Sequence, residues 1–202
     1  MMSILTKQVI LEELQRGKTG DGLVVSPLRI DQIGPSSVDV HLGHEFIVFR
    51  RALIASFDIT DDKLSENVHL YQEKVRISEG DKFVLHPQQL VLGATREYIA
   101  LPNNISAIIT GRSTWGRTGL MIATATKIDP GFKGCVTLEL MNGGVLPLVL
   151  YPGLRVAQLV LFRTEGRSTY KGSYKWPTGP TFPNLGKEIE YMTRISTVKR
   201  PT

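Results

Sequence analysis

The sequence predicts a mainly β fold, an antiparallel barrel or jelly-roll-like sandwich with a short N-terminal helix and an extended C-terminal arm. Three observations carry this. Apolar and polar residues alternate with a period of two through much of residues 37–162, which sends every second side chain to one face. Turn residues punctuate these stretches at intervals of about 8–15 residues. Gly 19 and Pro 11 are more than a helical bundle uses and suit many short strands. At 202 residues, 42% hydrophobic and 21% charged, the chain can bury a real core, and residues 1–202 are expected to form one domain.

Residues 1–17 open with the one helix. Thr6 can cap it, Val9, Ile10, Glu13 and Leu14 fall at helical spacing, and Gly17 is a natural stop. The period then switches. Ser37-Val38-Asp39-Val40-His41-Leu42 alternates, Phe46-Ile47-Val48-Phe49 is a short apolar run, and Lys74-Val75-Arg76-Ile77 alternates again before a turn over Ser78–Asp81. Strands follow at 83–85, 89–93, 105–109, 136–140, 148–150 and 156–162. Residues 56–72 are polar and acidic and read as an excursion from the sheet structure. Past Phe162 the pattern fades, and Pro177, Gly179, Pro180 and Pro183 mark an arm over 163–202.

One Cys excludes a disulfide scaffold, and with four scattered His it argues against a structural zinc site. The start reaches charge at Lys7, too early for a secretory signal, and no apolar run approaches the roughly 18 residues of a membrane span. A soluble, cytoplasmic protein without membrane partners is expected. Of the net +5, all sits in the arm: residues 163–202 carry eight Lys/Arg against Glu165, Glu188 and Glu190. Such an arm suits a polyanion, either nucleic acid or an anionic small ligand. No basic run exceeds two residues and no nucleic-acid motif is visible, so the small ligand is the expectation.

Three stretches carry candidate chemistry. In Gly111-Arg112-Ser113-Thr114-Trp115-Gly116-Arg117-Thr118-Gly119, two guanidiniums flank two hydroxyls among glycines. Guanidinium forks match phosphate oxygens, though a solvated turn explains the spacing equally well. It is neither a Walker loop nor a dinucleotide fingerprint. Ile128-Asp129-Pro130-Gly131 reads either as a Pro-Gly turn or as a carboxylate fixed at a strand end. In Cys135-Val136-Thr137-Leu138-Glu139-Leu140, alternation puts Val136, Leu138 and Leu140 on the core face and Glu139 outward. Outward, Glu139 is an ordinary strand carboxylate; covered by another subunit, it becomes suited to proton transfer. Cys135 reads as a small apolar strand residue, having no His near it.

Taken in order, Arg112-Ser113-Thr114-x-x-Arg117-x-Gly119-Leu120, Thr124-Ala125, Ile128-Asp129-Pro130-Gly131-Phe132-x-Gly134 and Thr137-Leu138-Glu139 resemble the dCTP deaminase branch of the dUTPase superfamily. Ser37-Val38-Asp39-Val40-x-Leu42-Gly43, Leu85-x-Pro87, Leu101-Pro102 and Tyr151-Pro152-Gly153 add to the likeness, which runs over most of residues 4–181. The resemblance implies a distorted, dUTPase-like β-barrel, a homotrimer with active sites between subunits, Mg2+ carried by the triphosphate, and no zinc. It implies that Arg112, Ser113, Thr114, Trp115, Gly116 and Arg117 hold phosphates and that Asp129 binds the deoxyribose 3′-hydroxyl. Thr137, Leu138 and Glu139 would meet the cytosine edge and water, with Gln158 lining the site and Tyr170 covering the nucleotide. The tail departs from the family pattern. Ser173 stands where the family has a phosphate-binding Lys, and Pro177 where it has a Gln; Lys171 or Lys175 can supply the charge instead.

Three functions follow as expectations. The first is hydrolytic deamination of dCTP to dUTP and ammonia, with Glu139 as proton relay. The second is dUTP diphosphatase activity, alone or after deamination, giving dUMP with Asp129 orienting water. Simple dUTPases carry an apolar residue ten positions after this Asp, where the chain has Glu139, which favours deamination. The third is a non-catalytic nucleotide-binding regulator.

Overall fold

The computed structural model describes residues 3–50, 57, 68–123 and 127–195. Thr124, Ala125, most of the acidic excursion and residues 196–202 lie outside the described residues.

The first strand, β1 (Ser3–Ile4), leads into helix α1 (Lys7–Gly17). Ile10 is fully buried and Glu13 nearly so, the two inward positions that the helical spacing predicts. Thr6 sits at the N-cap with an extended backbone, but its hydroxyl makes no capping bond. The first-turn N–H of Lys7 donates to Pro35 O at 2.7 Å instead, so a neighbouring loop does the work expected of Thr6. Gly17 ends the helix because the Leu23 carbonyl packs directly against it, leaving no room for a Cβ. Glu13 is buried with Arg16 Nη1 at 3.0 Å and Arg163 Nη1 at 2.9 Å, tying α1 to the far end of the last strand.

Further strands follow in chain order: β2 (Val24–Ser26), β3 (Ser37–His41), β4 (Glu45–Phe49), β5 (Gln72–Arg76), β6 (Phe83–Leu85), β7 (Leu90–Ala94), β8 (Tyr98–Ala100) and β9 (Ile105–Gly111). A single helical turn, α2 (Ser113–Gly116), precedes β10 (Leu120–Ile122), β11 (Lys127–Ile128), β12 (Lys133–Gly134), β13 (Thr137–Asn142), β14 (Leu148–Leu150) and β15 (Arg155–Arg163). All nine strands read from alternation are present. The additional ones are two or three residues long, too short for a period of two to register.

Every strand pair named here is antiparallel. One sheet runs β1-β15-β9-β11, with β3 also on β15; a second runs β10-β13-β7-β4-β5. Smaller sheets are β12-β8-β2 and β14-β6. The architecture is mainly β, in four sheets around one contiguous apolar cluster from Leu5 to Leu161 rather than one closed ring of pairing among the described residues. Phe46, Ile99, Ile105, Leu138 and Leu140 are among its fully buried members. Each such side chain stabilises the fold by about 1.5–3 kcal/mol.

Beyond Arg163 the chain runs without regular structure to helix α3 (Gly186–Ile195). Sequence reading placed an extended arm there and missed this helix. No described helix is long and apolar enough to cross a membrane.

Candidate active site

The outward face of the second sheet carries the candidate site. Along β13, Leu138 (1% exposed) and Leu140 (0%) enter the core, so Thr137, Glu139 and Met141 point the other way. Register sets Glu139 opposite Leu92 and Thr137 opposite Ala94 on β7. Against this face lies a cavity of about 860 Å3. Thr137, Glu139, Leu90 and Leu92 belong to its sheet side, and Lys127, Asp129 and Phe132 line it from the β11–β12 turn. Tyr170, Tyr174, Pro177 and Thr181 come from the arm. Glu139 is half-buried, in a cavity that the chain's own arm helps to line.

Asp129 serves both readings that the sequence left open. Its carbonyl accepts from Phe132 N at 3.2 Å, closing the turn, while its carboxylate lines the cavity and pairs with Lys127 Nζ at 2.8 Å. Gly131 adopts φ 77°, and a Cβ there would stand 2.9 Å from Asn103 Oδ1 and 3.0 Å from Tyr170 N. Glycine at this position therefore lets the arm approach the Asp129 turn.

The arm is held at several points. Ser168 N donates to Asn103 O (2.8 Å), and the Tyr170 ring meets Phe132 edge-on at 5.6 Å. Tyr174 N donates to Tyr170 Oη (3.2 Å), and Asn184 N to Tyr174 Oη (3.0 Å). Cys135 N donates to Pro177 O (2.7 Å), and Thr181 N to Thr137 Oγ1 (3.3 Å). Lys171 and Lys175 are exposed along it.

Burial, then the negative fields of Glu97 and Glu45, push the Cys135 thiol above its ordinary range. It stays protonated at neutral pH, as an apolar strand residue should and a nucleophile should not. On the same cavity wall, burial also pushes the Tyr71 hydroxyl up. Among the described residues, that hydroxyl and Gln72 Oε1 are buried without a hydrogen-bond partner.

The phosphate-motif residues are arranged differently. Arg112 ion-pairs with Asp39 on β3, and Arg155 Nη1 stands 3.6 Å from the same carboxylate. Trp115 Nε1 donates to Arg155 O at 2.9 Å, so this bulky residue fastens α2 to β15. Gln158 lies across from Asp39 in register and accepts from Ser37 Oγ at 3.1 Å. Ser113, Thr114, Gly116 and Arg117 are exposed. One chain therefore brings Asp129, Thr137, Glu139 and Tyr170 to one cavity, while Arg112–Arg117 and Gln158 are not among the residues lining it. Leu138 can face a ligand only through its backbone, its side chain being in the core. Lys127, Tyr174, Pro177 and Thr181 are cavity residues that sequence reading did not select. For Thr181 the signal was present in Gly179-Pro180-Thr181, a turn that returns the arm to β13.

Among the described residues no cluster of three or more His, Cys, Asp or Glu is placed to hold a metal ion.

Comparison with known proteins gives the family. The family model described as dCTP deaminase-like matches residues 4–164. A "dCTP deaminase, dUMP-forming" from Methanobrevibacter smithii is 43% identical over 161 residues, covering 79% of this chain and 79% of that protein. A "dCTP deaminase" from Halorubrum lacusprofundi is 39% identical over 197 residues, covering 93% of this chain and 94% of that protein. The crystal structure of 2′-deoxycytidine 5′-triphosphate deaminase from Agrobacterium tumefaciens superposes with a TM-score of 0.60 at 23% identity. It is matched over 80% of this chain and 48% of its own, so the likeness spans about half of that longer protein and is one of fold.

Proposed function

The chain belongs to the dCTP deaminase-like family and is an enzyme that deaminates dCTP, and we propose that Glu139 is its proton relay. The observation that carries the assignment is the convergence of Glu139, Thr137, Asp129 and Tyr170 on one cavity. Glu139 takes a proton from water as the oxygen adds to cytosine C4 and delivers it to N3, giving a tetrahedral adduct. It then takes the proton of the new C4 hydroxyl and passes it to N4, so that C4=O forms, the C4–N4 bond breaks, ammonia leaves and Glu139 is again a carboxylate. General acid–base help of this kind contributes about 10²–10⁴-fold. Asp129 holds the 3′-hydroxyl, Thr137 meets the base edge, and Tyr170 covers the nucleoside.

Arg117 and the α2 turn hold the triphosphate in this reading. Since their own chain's cavity does not include them, the complete site joins Glu139 of one subunit to Arg117 of another, in a homotrimer. Mg2+ would arrive as part of the nucleotide substrate and would help neutralise the triphosphate charge beside Arg117.

A second reading has its own support, because the M. smithii relative is named dUMP-forming. Deamination would then be followed in the same site by hydrolysis at the α-phosphorus, with Asp129 orienting the water. Incubation with dCTP and with dUTP plus Mg2+, following ammonia and pyrophosphate separately, separates the outcomes. Ammonia alone from dCTP is expected of a deaminase, and both products of the dUMP-forming reaction. Pyrophosphate from dUTP with no ammonia from dCTP would overturn deamination, and binding without turnover would make the chain a regulator.

A further inference from the structure

The arm departs from its family's pattern at Ser173 and Pro177, yet Pro177 packs directly on the sheet body. Its carbonyl accepts the Cys135 N–H at 2.7 Å. Its ring lies over Gly134, whose φ of 147° lies in the region that favours glycine. A Cβ on Gly134 would overlap the ring, standing 2.7 Å from Pro177 Cγ. The preceding residue, Trp176, is exposed and takes φ 52°, a left-handed conformation that costs a non-glycine residue energy. The contacts at Pro177 must offset that cost. Four residues on, Thr181 N donates to Thr137 Oγ1, and the two hydroxyl oxygens are 3.3 Å apart at the wall of the Glu139 cavity.

We propose that Pro177 is a positioning residue. Seated over Gly134 and bonded to Cys135, it latches the arm to its own barrel without nucleotide and sets Thr181 against Thr137 to complete the pyrimidine end of the site. This rests on the deaminase reading for what the site binds, but the latch itself is a property of the unliganded chain. Every contact in it is made by backbone, a proline ring or a neutral hydroxyl. Arm closure therefore does not need the phosphate-binding Lys that Ser173 replaces. Thr181 also becomes a substrate-contacting residue, offering a hydroxyl and an N–H beside the base edge that Thr137 meets.

The test uses the full chain. In nucleotide-free protein, the Cys135 amide should resist hydrogen exchange and trypsin should cut slowly after Lys171 and Lys175. Pro177→Gly removes the ring but leaves the barrel untouched. It should speed exchange and cleavage about tenfold and raise KM for dCTP about tenfold, with kcat changed less than about threefold. Gly134→Ala should do the same or more, and adding Pro177→Gly to it should recover part of the loss, because the two ring carbons nearest the new Cβ are gone while the backbone nitrogen of residue 177, at 2.8 Å, still crowds it. Rapid cleavage and free Cys135 exchange in the unaltered protein would overturn the latch. A loosened arm with unchanged KM would overturn its positioning role. Absence of dCTP turnover in the unaltered protein would sink the deaminase reading, leaving exchange and digestion to decide the latch.

Discussion

Cys135 and Glu139, four residues apart on one side of the cavity, show how environment assigns roles to side chains. The Cys135 thiol is held above its ordinary value of 9.0 by burial, with Glu97 and Glu45 adding to it. A raised folded value means that the unfolded chain ionises first as pH rises. Stability attached to this group is thus complete below pH 9.0 and falls above it. Tyr71, raised from 10.0 by burial, extends the loss in the same direction. Urea unfolding between pH 8 and 11 should show stability falling with pH, and Cys135→Ala should flatten the first part of that fall. An unchanged slope in the variant would assign the alkaline sensitivity elsewhere. Glu139's outward direction was legible, since alternation from Val136 to Leu140 allows no other. Its cover was not. The sequence reading offered another subunit, and in the structure the chain's own Thr181 and Pro177, more than thirty residues away, line the same cavity as Glu139. Arg112 teaches the same lesson: nothing local announces that Asp39, 73 positions earlier, takes its guanidinium.

Among elements, long strands announced themselves and short ones did not. β15, nine residues with an inward series Val156, Ala157, Leu159 and Leu161, was legible because pattern and burial agree over several periods. β8 and β10 have three residues each and exist because pairing holds them, β8 between β2 and β12 and β10 against the six-residue β13. Helix α3 was hidden by the Pro- and Gly-rich residues before it, which made the whole arm read as extended. The arm is an added layer, with its own contacts to the Asp129 turn and to β13. Deleting residues 165–202 while keeping Arg163, the partner of buried Glu13, should leave a cooperatively folding barrel that retains little dCTP turnover. Circular dichroism melts and ammonia release check the two halves. Full turnover in the truncated protein would reduce the arm to a solubilising tail.

At the scale of the whole molecule, the two halves of the chemistry face different surfaces of one chain. Glu139 and Asp129 share a cavity, while Arg117 stands exposed and outside its lining, a division that the proposed homotrimer with sites between subunits would resolve. The central claim is therefore that Glu139 and Arg117 act together from different copies, and mixing two inactive variants tests it most directly. Glu139→Gln keeps shape but cannot relay a proton, and Arg117→Ala removes a phosphate grip. Each alone should release ammonia from dCTP orders of magnitude more slowly than the unaltered protein. When the two are unfolded and refolded together in equal amounts, one site in each mixed trimer, about a quarter of all sites in the preparation, should carry both intact residues. Ammonia release should return to about that fraction of the unaltered rate. A mixture no more active than either variant alone, with mixed trimers demonstrated by mass, would contradict the account.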